Sequence, residues 1–322
     1  MVDAAPTREL ILTNLGTPSA PTESAVRAFL AEFLSDPMVV ERPRWLWLPI
    51  LHGIVLRRRP ARVAALYRTI WTDAGSPLAV ESERLLDAVR ADLGDQGSAS
   101  LAYRYGAQSL EAAMAAAAAR AERLVVAPLF PQRTASSAGT VEATAHAIAR
   151  RLGLEERLSV AHLDPADPGY VVALADRLRT AVQEAGDAEP EHLVFSFHSI
   201  PAAVDRREGG RYQADCRRTA EALTAAVAWK EEHTTVCFQS RFGRTPWLGP
   251  ATAATLADLA ARGVKRVAVS APGFLTDGLE TLEELSRRGR ETFLAAGGES
   301  FVLARAPAGH PALAHALAAL SA

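Results

Sequence analysis

Short runs rich in β-branched residues and leucine recur along the chain and alternate with longer, alanine-rich stretches. The runs are bounded by Gly, Pro, Asn or Ser and are short enough for strands, while the stretches between them are long enough for helices. Eight strands are predicted, near residues 9–15, 99–104, 123–129, 157–163, 192–198, 234–240, 265–271 and 300–305. Strands that alternate with helices predict parallel sheets covered by helices on both faces. A chain of 322 residues exceeds what one hydrophobic core comfortably covers, and two four-stranded sheets fit that length.

The two halves resemble each other. LILTNLGTP (10–18) is similar to LVFSFHSIP (193–201), YRYGAQSL (103–110) to QSRFGRTPWL (239–248), and RLVVAPLFP (123–131) to RVAVSAPGF (266–274), in the same order. A duplicated α/β unit accounts for this. The halves are expected to meet near residue 163, where HLDPADPGY supplies two prolines and a glycine. This gives an N-terminal domain over 1–163, a C-terminal domain over 164–306, and a final helix over 307–322 packing back on the first domain. The extra length of the first half lies between Phe33 and Pro77 and holds the longest apolar run, WLWLPILHGIVL.

That run of 12 residues contains Pro49, His52 and Gly53 and falls short of the roughly 20 residues that a membrane-spanning helix needs. Its tryptophans, set among leucines and beside Arg42, Arg44, Arg57, Arg58 and Arg59, suit a segment lying in a membrane interface. A helical hairpin packed on the core fits the pattern equally well. The N-terminus, with Asp3, Arg8 and Glu9 before the first strand, lacks the pattern of a secretory signal, so a cytoplasmic protein is expected. A net charge of −2 argues against nucleic acid as a partner. Cys216 and Cys237 are too few for a four-thiolate cluster or a disulfide framework and read as buried thiols.

In open parallel sheets ligands bind beyond the carboxyl ends of the strands. At one such end His198 closes the apolar run FSFHSIP, and an imidazole there could take a proton or ligate a metal. At another, SAPGFLTDGLETLEEL carries Asp277, Glu280 and Glu284, which share one face if the segment is an α-helix. Like charges at that spacing weaken a helix by a few tenths of a kcal/mol per pair. Solvent or a cation path would account for the row. With no HExxH, CxxC or His-x-His, a closed zinc site is not expected, and one histidine with one or two carboxylates leaves coordination open. No GxSxG follows a strand, so a hydrolase built on serine, histidine and aspartate is not expected. PQRTASSAGT (131–140) could offer backbone N–H groups to an anion, and helix capping by Ser136 and Thr140 explains it as well.

Through NLGTP, FLSDPMVV, LYRTIW, GSP, APLFPQ, FSFHSIP, FQSRFGRTPWLGP and PGFLTDGLETLEEL, the sequence resembles the ferrochelatases over nearly its full length. FQSRFG and LETLEEL point to the bacterial branch that makes protoheme directly. The resemblance implies two similar α/β domains with a porphyrin cleft between them, and insertion of Fe²⁺ into protoporphyrin IX with release of two protons. It implies His198 and Glu280 as the catalytic and metal-contacting pair, with Asp277 and Glu284 continuing an acidic path. Leu15, Arg57, Arg58, Tyr67, Ser76, Arg104, Tyr105, Trp247 and Phe274 would contact the porphyrin, and Trp45–Leu51 would form an apolar lip touching the inner face of the cytoplasmic membrane. Iron would be a substrate, with no tightly bound cofactor and no iron–sulfur cluster. Two departures stand out: FPQRTASSA replaces the YPQYSCST of many members, and Gly278 stands where histidine or cysteine is frequent. A coproporphyrin chelatase and a non-catalytic porphyrin or heme carrier are the rival expectations.

Overall fold

The computed structural model describes residues 7–186, 189–241 and 245–321. Asp3, and Phe242, Gly243 and Arg244 of the FQSRFGRTP motif, lie outside the described residues. The chain divides into two compact units. One holds residues 7–163 with 314–321, the other 164–313.

Among the described residues the first unit contains β1 (Arg8–Asn14), β2 (Ser98–Tyr103), β3 (Arg123–Pro128) and β4 (Leu158–Val160), in a parallel sheet of order β2-β1-β3-β4. The second contains β5 (His192–His198), β6 (Thr234–Gln239), β7 (Arg266–Ser270) and β8 (Ser300–Leu303), ordered β6-β5-β7-β8 and again all parallel. The orders are the same once the second set is renumbered, so the predicted fold class of two similar four-stranded α/β units is what the chain adopts.

Burial on both faces explains why these strands read as continuous apolar runs. In β1 every residue after Arg8 is buried, including Glu9, whose carboxylate is held by Arg120 at 2.5 Å. The core of the first unit gathers Ile11, Met114, Val126 and Val141, and that of the second Val194, Leu256, Val269 and Phe293. Cys237 lies in the second core and burial pushes its thiol up to about 12, while Cys216 is likewise buried and raised. Both are free thiols, unreactive for that reason.

The long insertion of the first unit folds as helix Arg44–Ile50, a π-helical turn Leu51–Val55 and helix Leu56–Ile70. Leu51 and Leu56 join a small core with Val26, Leu30 and Leu34, and the Trp47 indole donates to the Leu34 carbonyl at 2.7 Å. The opposite side leaves Trp45 79% exposed and Ile54 53% exposed, with Leu46 and Ile50 between them. One face of the run packs on the unit, as a hairpin on the core requires, and the other is open and apolar. No helix among the described residues is long and apolar enough to cross a membrane. The last helix, Pro311–Ala318, is shorter than the predicted 307–322.

Candidate active site at the carboxyl ends of β5 and β7

From β5 the chain goes to β6 on one side and then to β7 on the other. The gap between the ends of β5 and β7 is the topological switch point, where an open parallel sheet binds ligands. His198 is the last residue of β5, and the segment after β7 leads to Glu280. The fold thus brings together the two residues that the sequence singled out.

His198 is fixed through its ring and its main chain. Its Nδ1 lies 2.6 Å from the Ser199 carbonyl oxygen, which can only accept, so Nδ1 carries the hydrogen and Nε2 is left with the lone pair when the ring is neutral. The His198 carbonyl accepts a hydrogen bond from the Tyr212 hydroxyl at 2.6 Å. Ser199 N–H donates to the Gln239 carbonyl at 2.8 Å, and Ser199 Oγ to the Leu248 carbonyl at 2.9 Å. Ser196 points away, donating to Gln239 Oε1 at 2.7 Å and lying 2.7 Å from Thr252 Oγ1.

Glu280 opens a ten-residue π-helix, Glu280–Gly289. Single π turns inside helices occur often at functional sites, and this one is unusually long. Desolvation raises the Glu280 pKa above the usual carboxylate range. The charge of His198 and the residue's own N–H pull it back in part, while Glu284 pushes it further up. Although the residue keeps some exposed surface, its carboxylate lies within electrostatic reach of both the imidazole and a second carboxylate.

Glu284 is held by Ser240, whose N–H donates to Oε1 at 2.8 Å and whose hydroxyl donates to Oε2 at 2.5 Å. Ser240 takes a left-handed backbone, φ 62°, which costs a non-glycine residue about 1 kcal/mol and here aims both donors at one carboxylate. Gln239, just before it, donates from Nε2 to the Glu280 carbonyl at 3.1 Å. Gln239, Ser240 and Tyr212 were not singled out from the sequence, although FQSRFG contains the first two and its polar pair at the end of an apolar strand was the available signal.

Several expected site residues take other places. Asp277 precedes the helix, is fully buried, and is bonded by Arg305 Nε and more weakly by Ala306 N–H. It does not share the helical face with Glu280 and Glu284, because the π-helix begins three residues later and a distant arginine claims the carboxylate. Tyr105 does not line an open pocket: it is 1% exposed, packs edge-on against Phe33, and donates to Asp36 at 2.7 Å. Arg104 joins it on Asp36 at 2.6 Å and on Thr140 at 2.9 Å. The anion loop after β3 starts with a capping box made by Thr134 and Ser137, not by Ser136 and Thr140, and the Thr140 hydroxyl donates to Asp36. Ser76 is buried against Thr17 at 2.8 Å. Leu15 and Tyr67 are half-buried, and Arg57 and Arg58 are exposed. In the second unit Phe274 packs beside the core, and Trp247 is half-buried with its indole N–H unpartnered among the described residues. No cluster of three or more His, Cys, Asp or Glu suited to hold a metal occurs among the described residues.

Two units of this topology define a chelatase-like fold. The structure superposes on the sirohydrochlorin chelatase SirB of Bacillus subtilis subspecies spizizenii with a TM-score of 0.56 at 12% identity, covering 98% of this chain and 94% of that one. It superposes on DR2241 of Deinococcus radiodurans, described as similar to chelatases with two additional domains, with a TM-score of 0.54 at 15% identity over 99% of this chain and 55% of that one. Identities this low speak for the fold alone. The sequence carries the rest: the ferrochelatase family profile matches residues 8–322. The ferrochelatase of Methylibium petroleiphilum is 45% identical over 91% of this chain and 81% of its own length, and that of Edwardsiella ictaluri 44% over 91% and 90%. Ferrochelatase 1 of Shewanella oneidensis is 42% identical over 94% of this chain and 91% of its own. The chain belongs to the ferrochelatase family and is an enzyme of the metal–porphyrin chelatase class.

Proposed function

We propose that this enzyme inserts Fe²⁺ into protoporphyrin IX, releasing two protons and giving protoheme, with His198 and Glu280 as its acting pair. The observation that carries the assignment is the partly buried, desolvated Glu280 carboxylate within electrostatic reach of an imidazole whose Nε2 is free to accept. Metallation replaces two pyrrole N–H protons by one divalent cation, so the site must take up protons while welcoming positive charge. Nε2 of His198 accepts a pyrrole proton. Glu280, with a pKa displaced upward, exchanges a proton at smaller cost than an ordinary carboxylate. Glu284, anchored by Ser240, extends the negative charge along the π-helix, and Asp277 has no part in this path. Iron passes through as a substrate, which suits a site with few ligands and open coordination. No resident cofactor or cluster enters this scheme.

Within the second unit the porphyrin periphery is assigned to Trp247, which is half-buried, and Phe274, which packs beside the core. The test is metallation by purified His198→Ala and Glu280→Gln variants with porphyrin binding followed by fluorescence. Binding should persist while metal insertion falls by about 10²-fold or more. Near wild-type turnover in both variants sinks the assignment.

The open apolar face of Trp45, Leu46, Ile50 and Ile54, beside Arg42, Arg44, Arg57 and Arg58, supports peripheral contact with an anionic membrane surface. Co-sedimentation with vesicles containing phosphatidylglycerol should be lost when Trp45 and Ile54 are both changed to Ser. Equal sedimentation of that variant excludes this face.

A further inference from the structure

Two buried tyrosines on neighbouring helices reach the two segments that carry His198 and Glu280. Tyr212, on helix Arg211–Ala226, is 5% exposed and donates to the His198 carbonyl at 2.6 Å. Tyr170, on helix Pro168–Ala185, is fully buried and donates to the Pro272 carbonyl in the turn after β7, on the way to Glu280. The phenols are near enough for each to feel the other's charge, and Cys216 lies within hydrogen-bonding reach of Tyr212. Both rings are buried. Both hydroxyls end on main-chain carbonyls.

Placement follows from peptide geometry. Tyr212 fixes the carbonyl of the His198–Ser199 peptide, and the next carbonyl, that of Ser199, is the one that holds the imidazole Nδ1–H. Because a peptide unit is planar, turning the first carbonyl reorients the chain that carries the second. The phenol therefore sets the acceptor that keeps Nε2 free.

We infer that Tyr212 and Tyr170 are positioning residues that register the His198 segment against the Glu280 segment, Tyr212 doing so by locking the imidazole with Nδ1 protonated and Nε2 presented. This rests on the roles given to His198 and Glu280 above. Each hydroxyl can be removed while the ring and its packing stay.

The experiment compares wild type, Tyr212→Phe and Tyr170→Phe by steady-state metallation and by nitrogen-15 NMR of histidine-labelled protein. The His198 resonances are identified by their loss in His198→Ala. Wild type should show the Nδ1–H form. Tyr212→Phe should show a mixture of tautomers, with kcat down about tenfold and KM for porphyrin unchanged. Tyr170→Phe should lose kcat similarly and leave the His198 spectrum as in wild type. A merely structural role lowers the melting temperature of the variants and leaves kcat and the imidazole spectrum untouched, which overturns the inference. An Nε2–H imidazole in wild type does so as well. If one variant fails to fold, the other decides through kcat. Should His198→Ala metallate normally, the reading of the active site falls, while the response of the imidazole to Tyr212→Phe still tests the tether by itself.

Discussion

The π-helix that follows β3 and the one that follows β7 occupy corresponding places in the two units, and they are put to opposite uses. In the first unit Ala135–Gly139 starts at the Thr134 and Ser137 capping box and leads into a closed network, where Asp36 receives Arg104, Tyr105 and Thr140. Burial alone would push the Asp36 carboxyl up, but the hydroxyls of Thr140 and Tyr105, the Met38 N–H and Arg104 outweigh it and hold the pKa below the usual range. In the second unit desolvation, with Glu284 beside it, pushes Glu280 the other way, and the charge of His198 offsets this only in part. One unit satisfies its buried charge, whereas the other leaves its charge costly. On the proposed mechanism it is the second arrangement that suits the exchange of a cation for protons.

The largest expected effect breaks the comparison directly. Glu280→Gln should cut metallation by about 10²-fold or more. Placing a carboxylate in the first copy, as Ser137→Glu, should not restore it, since no imidazole ends β1: Leu15 stands where His198 does in the matched sequences. Recovery of activity in the double variant would make the copies interchangeable and refute the division of labour.

Asp36→Asn should reverse the stability of the two copies. Removing the charge leaves Arg104 without its partner in a half-buried setting, and unfolding by urea at about pH 7 should show a loss of about 3 kcal/mol. The sign of the pH dependence follows from the lowered pKa. The folded state holds its proton less tightly than the unfolded reference of 3.8. The contribution is complete above 3.8 and is lost as pH falls through the folded value, so the gap between wild type and variant should close in acid.

For Glu280 the sign is opposite and the effect smaller. Its folded pKa lies above the unfolded 4.5, so the native state binds the extra proton. Below 4.5 both states are protonated and nothing is gained or lost. As pH rises from there toward the folded value, the unfolded state ionises first and stability drops. Glu280→Gln, which never ionises, should therefore unfold at higher urea than wild type at about pH 7 and at the same urea in acid below 4.5. A variant less stable at neutral pH would mean that the carboxylate is better accommodated than its burial and Glu284 imply.

Much of this was legible in the residues. All eight strands were placed, because continuous apolar runs bounded by turn residues are the direct imprint of parallel strands covered on both faces. The errors fall at sheet edges: the run at 157–163 forms a strand only over Leu158–Val160, which pairs with β3 alone. His198 stood out from its place at the end of an apolar strand, whereas Glu280 was separated from its row of carboxylates only by the family resemblance. Asp277 was misplaced because hydrophobic periodicity does not separate an α-helix from a π-helix, and because its partner Arg305 stands 28 residues away. Tyr105 was misplaced for a related reason: Asp36, 69 residues earlier, draws its hydroxyl inward. Long-range polar partners leave no local pattern, so the polar side of a site is harder to read than its apolar frame.

The smallest expected effect sharpens the comparison from the side of the quiet copy. Ser137 closes the capping box of the first π-helix, its hydroxyl lying 2.9 Å from Thr134 Oγ1 and accepting from Thr134 N–H at 3.3 Å. If that helix has become a structural element, Ser137→Ala should cost about 1 kcal/mol of stability, the usual value of a lost cap. Turnover should stay within about twofold, because no step of the proton exchange touches the hydroxyl. A stability loss of that size with unchanged kcat fits a copy retired from chemistry. A fall in kcat at constant stability would instead put the first π-helix back among the groups that meet the porphyrin, and would restore to the loop at 131–140 the anion-binding role that its backbone suggested.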